Sequence, residues 1–149
     1  MEPDTGWRHT QEFTTSHTPT ITLVTGGSRG LGRNTALSIA KGGGDVIVTY
    51  RSQAADAQAV VAEIEALGRR ALALQLDTGD VTTFTSFKHR LGALLQETWQ
   101  RDRFDHLVNN AGHGDYAAFA TTSEAQFDHL VNVHFKGVFF LTQALLPLI

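Results

Sequence analysis

The stretch "LVTGGSRGLGRN", Leu23 to Asn34, places four glycines between a β-branched apolar run and a segment with helical character. Two readings of so little side chain are open: a backbone that must crowd a phosphate, or a tight turn with no ligand. What flanks the loop decides between them. "ITLV" (21–24) reads as a buried strand, and "LGRNTALSIAKGGG" reads as a helix closed by glycines, with Leu31, Thr35, Leu37, Ile39 and Ala40 on its inward stripe. A glycine loop that ends a strand and opens a helix stands where a parallel α/β sheet receives a phosphate. Gly26 permits the sharp turn, Gly30 lets backbone N–H groups approach, and Gly32 lets the helix pack close to the strand.

Outward from the loop the alternation continues. "DVIVTY" (45–50), "RALALQLD" (70–77) and "FDHLVNN" (104–110) read as further strands. Helical spacing over 54–68 and 81–100 predicts two intervening helices. Asp80 is placed to cap the second of these, and Phe84, Phe87, Leu91, Leu94 and Leu95 point inward from it. "SEAQFDHLVNVHFKGVFFLTQALLPLI" predicts one long helix from Ser123, whose Ser-x-x-Gln start fits a capping box. Strict strand–helix alternation means parallel strands with crossover helices on both faces. Residues 1–18 are polar and aperiodic and read as a loose tail, with 19–149 as the folded domain.

Composition removes several function classes. The net charge of −3 gives no basic field for nucleic acid. Cysteine is absent, and with it disulfides and thiolate metal sites. The seven histidines show no metal-ligand spacing, so no metal is expected. The first twenty residues lack the apolar core of a secretory signal, and no run approaches the ~20 residues of a membrane helix. A cytoplasmic protein without membrane partners is the expectation.

Four motifs in order now resemble one family, the classical short-chain dehydrogenases/reductases. Thr25-Gly26-Gly27-Ser28-Arg29-Gly30-Leu31-Gly32 is similar to its T-G-x-x-x-G-x-G cofactor loop. "LDTGD" from Leu76 resembles the stretch that contacts adenine, which would assign Asp77 and Thr78. "LVNNAG" (107–112) is similar to the N-N-A-G motif, and 123–147 resembles the family's long fourth helix. The resemblance implies a Rossmann-like doubly wound parallel sheet of order 3-2-1-4, ending before a fifth strand. It also implies a dinucleotide cofactor bordered by Gly26, Ser28, Arg29, Gly30, Leu31, Asn110, Ala111 and Gly112, and a small carbonyl or alcohol substrate. A homo-oligomer assembled through the long helix follows from the same resemblance.

The end of the second strand speaks to which dinucleotide. An acid there would bind both ribose hydroxyls and repel a 2′-phosphate. This chain has Tyr50, Arg51 and Ser52 instead, and Arg51 with Arg29 can fork onto phosphate. NADP(H) is favoured over NAD(H). For Arg51 the bland alternative is a solvated loop arginine. Asp77 could equally cap a turn, and Asn109 could satisfy backbone at the strand end.

Two departures from the family stand out. Aligned on Lys136-Gly137, the family's catalytic asparagine is replaced by His134, while Asn132 lies about 200° away around an ideal helix. His134 is therefore the candidate catalytic residue, able to hold a relay water through its ring, with a packed helix histidine as the alternative. In addition, neither Tyr50 nor Tyr116 has a lysine four residues on, so the family's Tyr-x-x-x-Lys pair and serine are missing from these 149 residues. The expectation is a hydride-transferring oxidoreductase at family level, with this stretch alone inactive and prone to self-association at the fourth strand and helix. The rival is a non-catalytic dinucleotide-binding or interaction module. A Rossmann-like methyltransferase would account for the first loop only.

Overall fold

The computed structural model describes residues 18–149. The segment read as a tail therefore lies outside the described residues, save for Thr18. Four parallel strands form one sheet: β1 (Ile21–Val24), β2 (Asp45–Tyr50), β3 (Ala71–Gln75) and β4 (His106–Val108), in the order β3-β2-β1-β4. Helices α1 (Gly30–Lys41), α2 (Ala54–Ala66) and α3 (Phe84–Trp99) connect them. After β4 the chain runs through α4 (Glu124–Val131), a π turn (Asn132–Lys136) and α5 (Gly137–Leu145).

Residue alternation on the two central strands explains the layering. Ile21, Leu23 and Ile47 face a core shared with Phe84, Phe87, Leu91, Leu95, Leu141 and Leu145, so α3 and α5 cover that face. Val24, Val46 and Val48 face the opposite way, onto Ala36, Ala40, Val60 and Ile64 of α1 and α2. Both faces of the sheet are thus buried, as parallel strands require. The expected doubly wound sheet is observed.

The stripe expected on α1 is observed only in part: Ala40 is buried and Leu37 and Ile39 pack partly buried against the core. The buried residues of α1 are Gly32, Ala36 and Ala40, while Leu31 is 79% exposed. The reason is distance: α1 lies close on the strands, and only small side chains fit between them. The long helix expected from Ser123 is also broken in register. Ser123 does cap it, with Ser123 Oγ accepting from Gln126 N and Gln126 reaching back to the Ser123 amide. At Asn132, however, the backbone adopts π-type bonding, with the Gly137 amide donating to the Asn132 carbonyl. A Cβ on Gly137 would collide with the Thr78 carbonyl oxygen, so only glycine lets this helix pass the β3–α3 connection. Asp80 behaves as expected, accepting from Thr82 N at 3.1 Å to open a 3-10 turn that leads into α3.

Two carboxylates tie the strand starts together. Asp45, 2% exposed, accepts from Arg69, from the Arg70 amide and from the Trp99 indole at 2.7–3.0 Å. Asp105 accepts from the Ile21 amide at 2.7 Å and, at both oxygens, from Arg101. These fix the sheet at the end away from the glycine loop.

Candidate functional site

The loops that follow β1 and β4 emerge side by side because Val24 and Val108 are register partners. A single buried hydroxyl joins them. Thr25 Oγ1 accepts from the Asn110 and Ala111 amides at 3.0 Å each and donates to the Val108 carbonyl, which uses both lone pairs and its one proton. Asn110 closes the joint from the other side: its Nδ2 donates to the Thr25 and Gly26 carbonyls at 2.9 and 3.2 Å. Gly26 takes φ +65°, and a Cβ there would sit 2.9 Å from Ala111 Cα. A Cβ on Gly32 would overlap the Gly26 carbonyl and the Asn110 amide. The glycine loop is therefore folded onto the 109–112 stretch with no room for side chains.

Two cavities border this joint. One, about 270 Å3, is lined by Arg29, Gly30, Leu31 and Gly112 together with the joint itself. Gly30 has φ +56° with open space where its Cβ would be. Arg29 opens α1 without any side-chain cap, leaving first-turn N–H groups free to meet a ligand. The other, a more enclosed cleft of about 250 Å3, runs from Gly26 and Arg29 past Tyr50, Arg51 and Ser52 to Asp77 and Thr78. Ala111, Gly112, His113 and Val133 form its far wall.

Most of the residues expected at the site are therefore brought together. Ser28 lies on the loop but lines neither cavity. Asp77 caps its turn, Oδ1 accepting from the Gly79 amide at 2.8 Å, and the residue also lines the cleft. Asn109 does not satisfy backbone; its Nδ2 reaches Thr142 Oγ1 on α5 at 3.2 Å. Asn110 is occupied as a brace of the glycine loop. The His134 ring abuts Gly112, with Cε1 2.5 Å from where a Cβ would stand. His134 Nε2 is 2.7 Å from the His113 carbonyl oxygen and 3.3 Å from its amide. The shorter contact requires Nε2 to carry the proton, which leaves the lone pair of a neutral ring on Nδ1.

Sequence reasoning missed several members. Thr49, 1% exposed, accepts from the Gly26 amide at 3.2 Å; its signal in the sequence is a hydroxyl directly after the apolar run Val46–Val48. Gln53 and Val133 line the cleft with no advance signal. His113 shows no metal-ligand spacing in the sequence, yet it meets His134 from 21 positions away.

The profile of the short chain dehydrogenase family matches residues 20–149. The chain belongs to the short-chain dehydrogenase family. It is 38% identical over 122 residues to an L-rhamnose 1-dehydrogenase (NAD(P)(+)) of Sphingomonas sp., covering 82% of this chain and 46% of that protein. A hydroxynaphthalene reductase of Aspergillus fumigatus is 33% identical over 124 residues, covering 83% and 43%. Among solved structures, a short-chain dehydrogenase from Burkholderia cenocepacia in complex with NADP superposes with TM-score 0.75 at 39% identity, covering 84% of this chain and 49% of that one. A metagenomic short-chain oxidoreductase in complex with NADP gives TM-score 0.76 at 31% identity, over 86% and 55%. This short-chain dehydrogenase chain spans about half the length of the curated relatives it matches. No helix among its described residues is long and apolar enough to cross a membrane.

Proposed function

We propose that the protein is an NADP(H)-dependent oxidoreductase acting on a small carbonyl or alcohol substrate. The observation that carries the cofactor choice is Arg51 on the cleft wall beside Tyr50, with Arg29 in the same cleft and no acid at the end of β2. A 2′-phosphate would meet two guanidinium groups there, where NAD(H) requires a carboxylate. The residues fit a dinucleotide in other respects. Gly30 leaves open backbone, the uncapped start of α1 offers amides to a pyrophosphate, and Asp77 retains one oxygen beyond its turn bond for an adenine amine.

The bound nicotinamide would supply or accept the hydride. The chain's own residues bind and orient it. Gly112 lets backbone approach closely, and Thr25 with Asn110 holds that backbone against the glycine loop. His134, standing for the family's asparagine, presents Nδ1 as the acceptor that could hold a relay water. Self-association through α4 and α5 belongs to the same reading, since Phe127 on α4 is 62% exposed and Phe139 on α5 is 60% exposed.

Within these 149 residues no tyrosine has a lysine four residues on, so this stretch by itself lacks the family's Tyr-x-x-x-Lys pair. These 149 residues alone should bind NADPH without oxidising it. Turnover by residues 1–149 that is lost in His134→Ala would instead give the histidine a direct catalytic role.

Titration of NADPH and NADH against wild type and Arg51→Ala tests the cofactor reading. Loss of a charge-assisted phosphate contact should cost NADPH about 1.5–3 kcal/mol, roughly 10- to 150-fold in affinity. NADH should be little affected. Equal loss for both cofactors would remove Arg51 from the 2′-phosphate.

A further inference from the structure

The segment after β4 and the helix facing it bring three histidines together, of which the cofactor reading uses one. The His113 ring stands 4.4 Å from that of His129 on α4 and 5.7 Å from that of His134 in the π turn, centre to centre. The contact is fastened by the bond between His134 Nε2 and the His113 carbonyl. His113 Nε2 is itself enclosed and has no hydrogen-bond partner among the described residues. His113 and Val133, one from each side of this contact, both line the more enclosed cleft. Among the described residues no group of three histidine or carboxylate side chains is placed to hold a metal ion. The chemistry open to the cluster is therefore that of protons.

An enclosed nitrogen without an acceptor suits a neutral imidazole far better than a cation, which must donate from both nitrogens. Burial comes first in holding the His113 imidazole below its ordinary value. The charges facing it add to this. His129 from α4, His134 from the π turn and Arg51 from the end of β2 all oppose a positive ring, and only Asp115, in its own segment, favours one.

We propose that the His113–His129–His134 cluster is a proton-operated clasp. With neutral rings it seats the start of the 113–122 segment, at His113, against α4 and the π turn and completes one wall of the more enclosed cleft; protonation releases both. The sign follows from linkage. The closed cluster binds a proton less tightly than the open one, so closure is fully favoured above the ordinary imidazole range of about 6.5. It is lost as pH falls through the lower, folded value. For a single proton the loss is at most about tenfold per pH unit. The clasp stands without any ligand; only its consequence for cofactor binding rests on the NADP(H) reading.

Imidazole NMR titration of the full-length protein from about pH 8 to 5, with limited proteolysis at each pH, tests the clasp without cofactor. His113 should titrate below the ordinary range, and in the same step its ring-to-ring NOE with His129 should vanish and cleavage within 113–122 should accelerate. His129→Gln, at an exposed position, removes one opposing charge and should move the His113 midpoint up, with the cleavage step following it. NADPH affinity should fall with the wild-type midpoint. An unshifted His113, a midpoint indifferent to His129→Gln, or cleavage that does not change with pH would each overturn the proposal. NADPH that fails to bind at any pH, with the titration and cleavage steps intact, would sink the cofactor reading and leave the clasp standing.

Discussion

Thr25→Val removes one hydroxyl and almost no volume, at a residue 1% exposed. The consequences can be worked contact by contact. The Ala111 amide loses its acceptor at 3.0 Å, and a buried N–H left unpaired costs about 1–3 kcal/mol. The Asn110 amide loses less, because it also reaches the Val108 carbonyl at 3.1 Å and keeps that bond. The Val108 carbonyl still accepts from the Thr25 amide at 3.0 Å, so its loss is small. The sum is about 2–4 kcal/mol, a large part of a domain's net stability of ~5–15 kcal/mol. Thr25→Ser keeps every one of these bonds and loses one methyl, about 1 kcal/mol. Urea unfolding of the two variants side by side isolates the hydroxyl. NADPH titration should follow the same order, because the joint that fails is the one holding the glycine loop against residues 109–112. Equal destabilisation by valine and serine would mean that volume, and not the buried hydroxyl, holds the two loops together.

Gly137→Ala should lower stability by roughly 1–3 kcal/mol or more, since the new methyl meets the Thr78 backbone and not a movable side chain; the same urea assay reads it. Gly112→Ala should be milder, about 1 kcal/mol, because the His134 ring can swing aside at the loss of its bond to the His113 carbonyl. The His134 imidazole resonances should shift in that variant, and unchanged resonances would refute the contact. Asp105→Asn should destabilise by about 1.5–3 kcal/mol at neutral pH. The hydrogen bond from Arg101, aided by the Ile21 amide, holds the Asp105 carboxyl below its ordinary value of 3.8, so its contribution is complete above about pH 4 and is lost as pH falls through the folded value. Wild type and variant should therefore converge in stability in acid, and a gap that persists there would refute this account.

The alternation of strands and helices was legible because it depends on local periodicity and on glycines that only a tight strand-to-helix turn requires. The four strands lie within "ITLV", "DVIVTY", "RALALQLD" and "FDHLVNN", shorter than those stretches at the last two, while their order follows the family resemblance and not local periodicity. Leu31 misled because hydrophobicity was read as burial. In this fold α1 approaches the strands so closely that Gly32 and Ala36 fill the inner face, and leucine is pushed out beside the glycine loop. The π turn was illegible for another reason. The i→i+5 bonding that ends with the Gly137 amide on the Asn132 carbonyl leaves no mark in composition or periodicity. The histidine contact escaped because His113 belongs to a segment with no periodicity, whose path is set by tertiary contacts alone.

The location of the site follows from the strand order more than from any one motif. From β1 the chain crosses to β2 and then β3 on one side, and from β3 it returns across β1 to β4 on the other. The loops after β1 and β4 thus leave neighbouring strands whose crossovers run in opposite directions, which opens a crevice at the carboxyl ends of the strands. A crevice is also a weakness, because two loops there must satisfy their own backbone without a sheet. Thr25, Thr49 and Asn110 meet that need, each with side-chain atoms on main-chain groups of the glycine loop or of residues 108–111. Their hydrogen-bonding capacity is therefore turned inward, and what remains facing the cleft is a different set: Arg29, Arg51, Asp77 and the backbone of Gly30 and Gly112. One polar set builds the crevice and the other is left free to read what enters it.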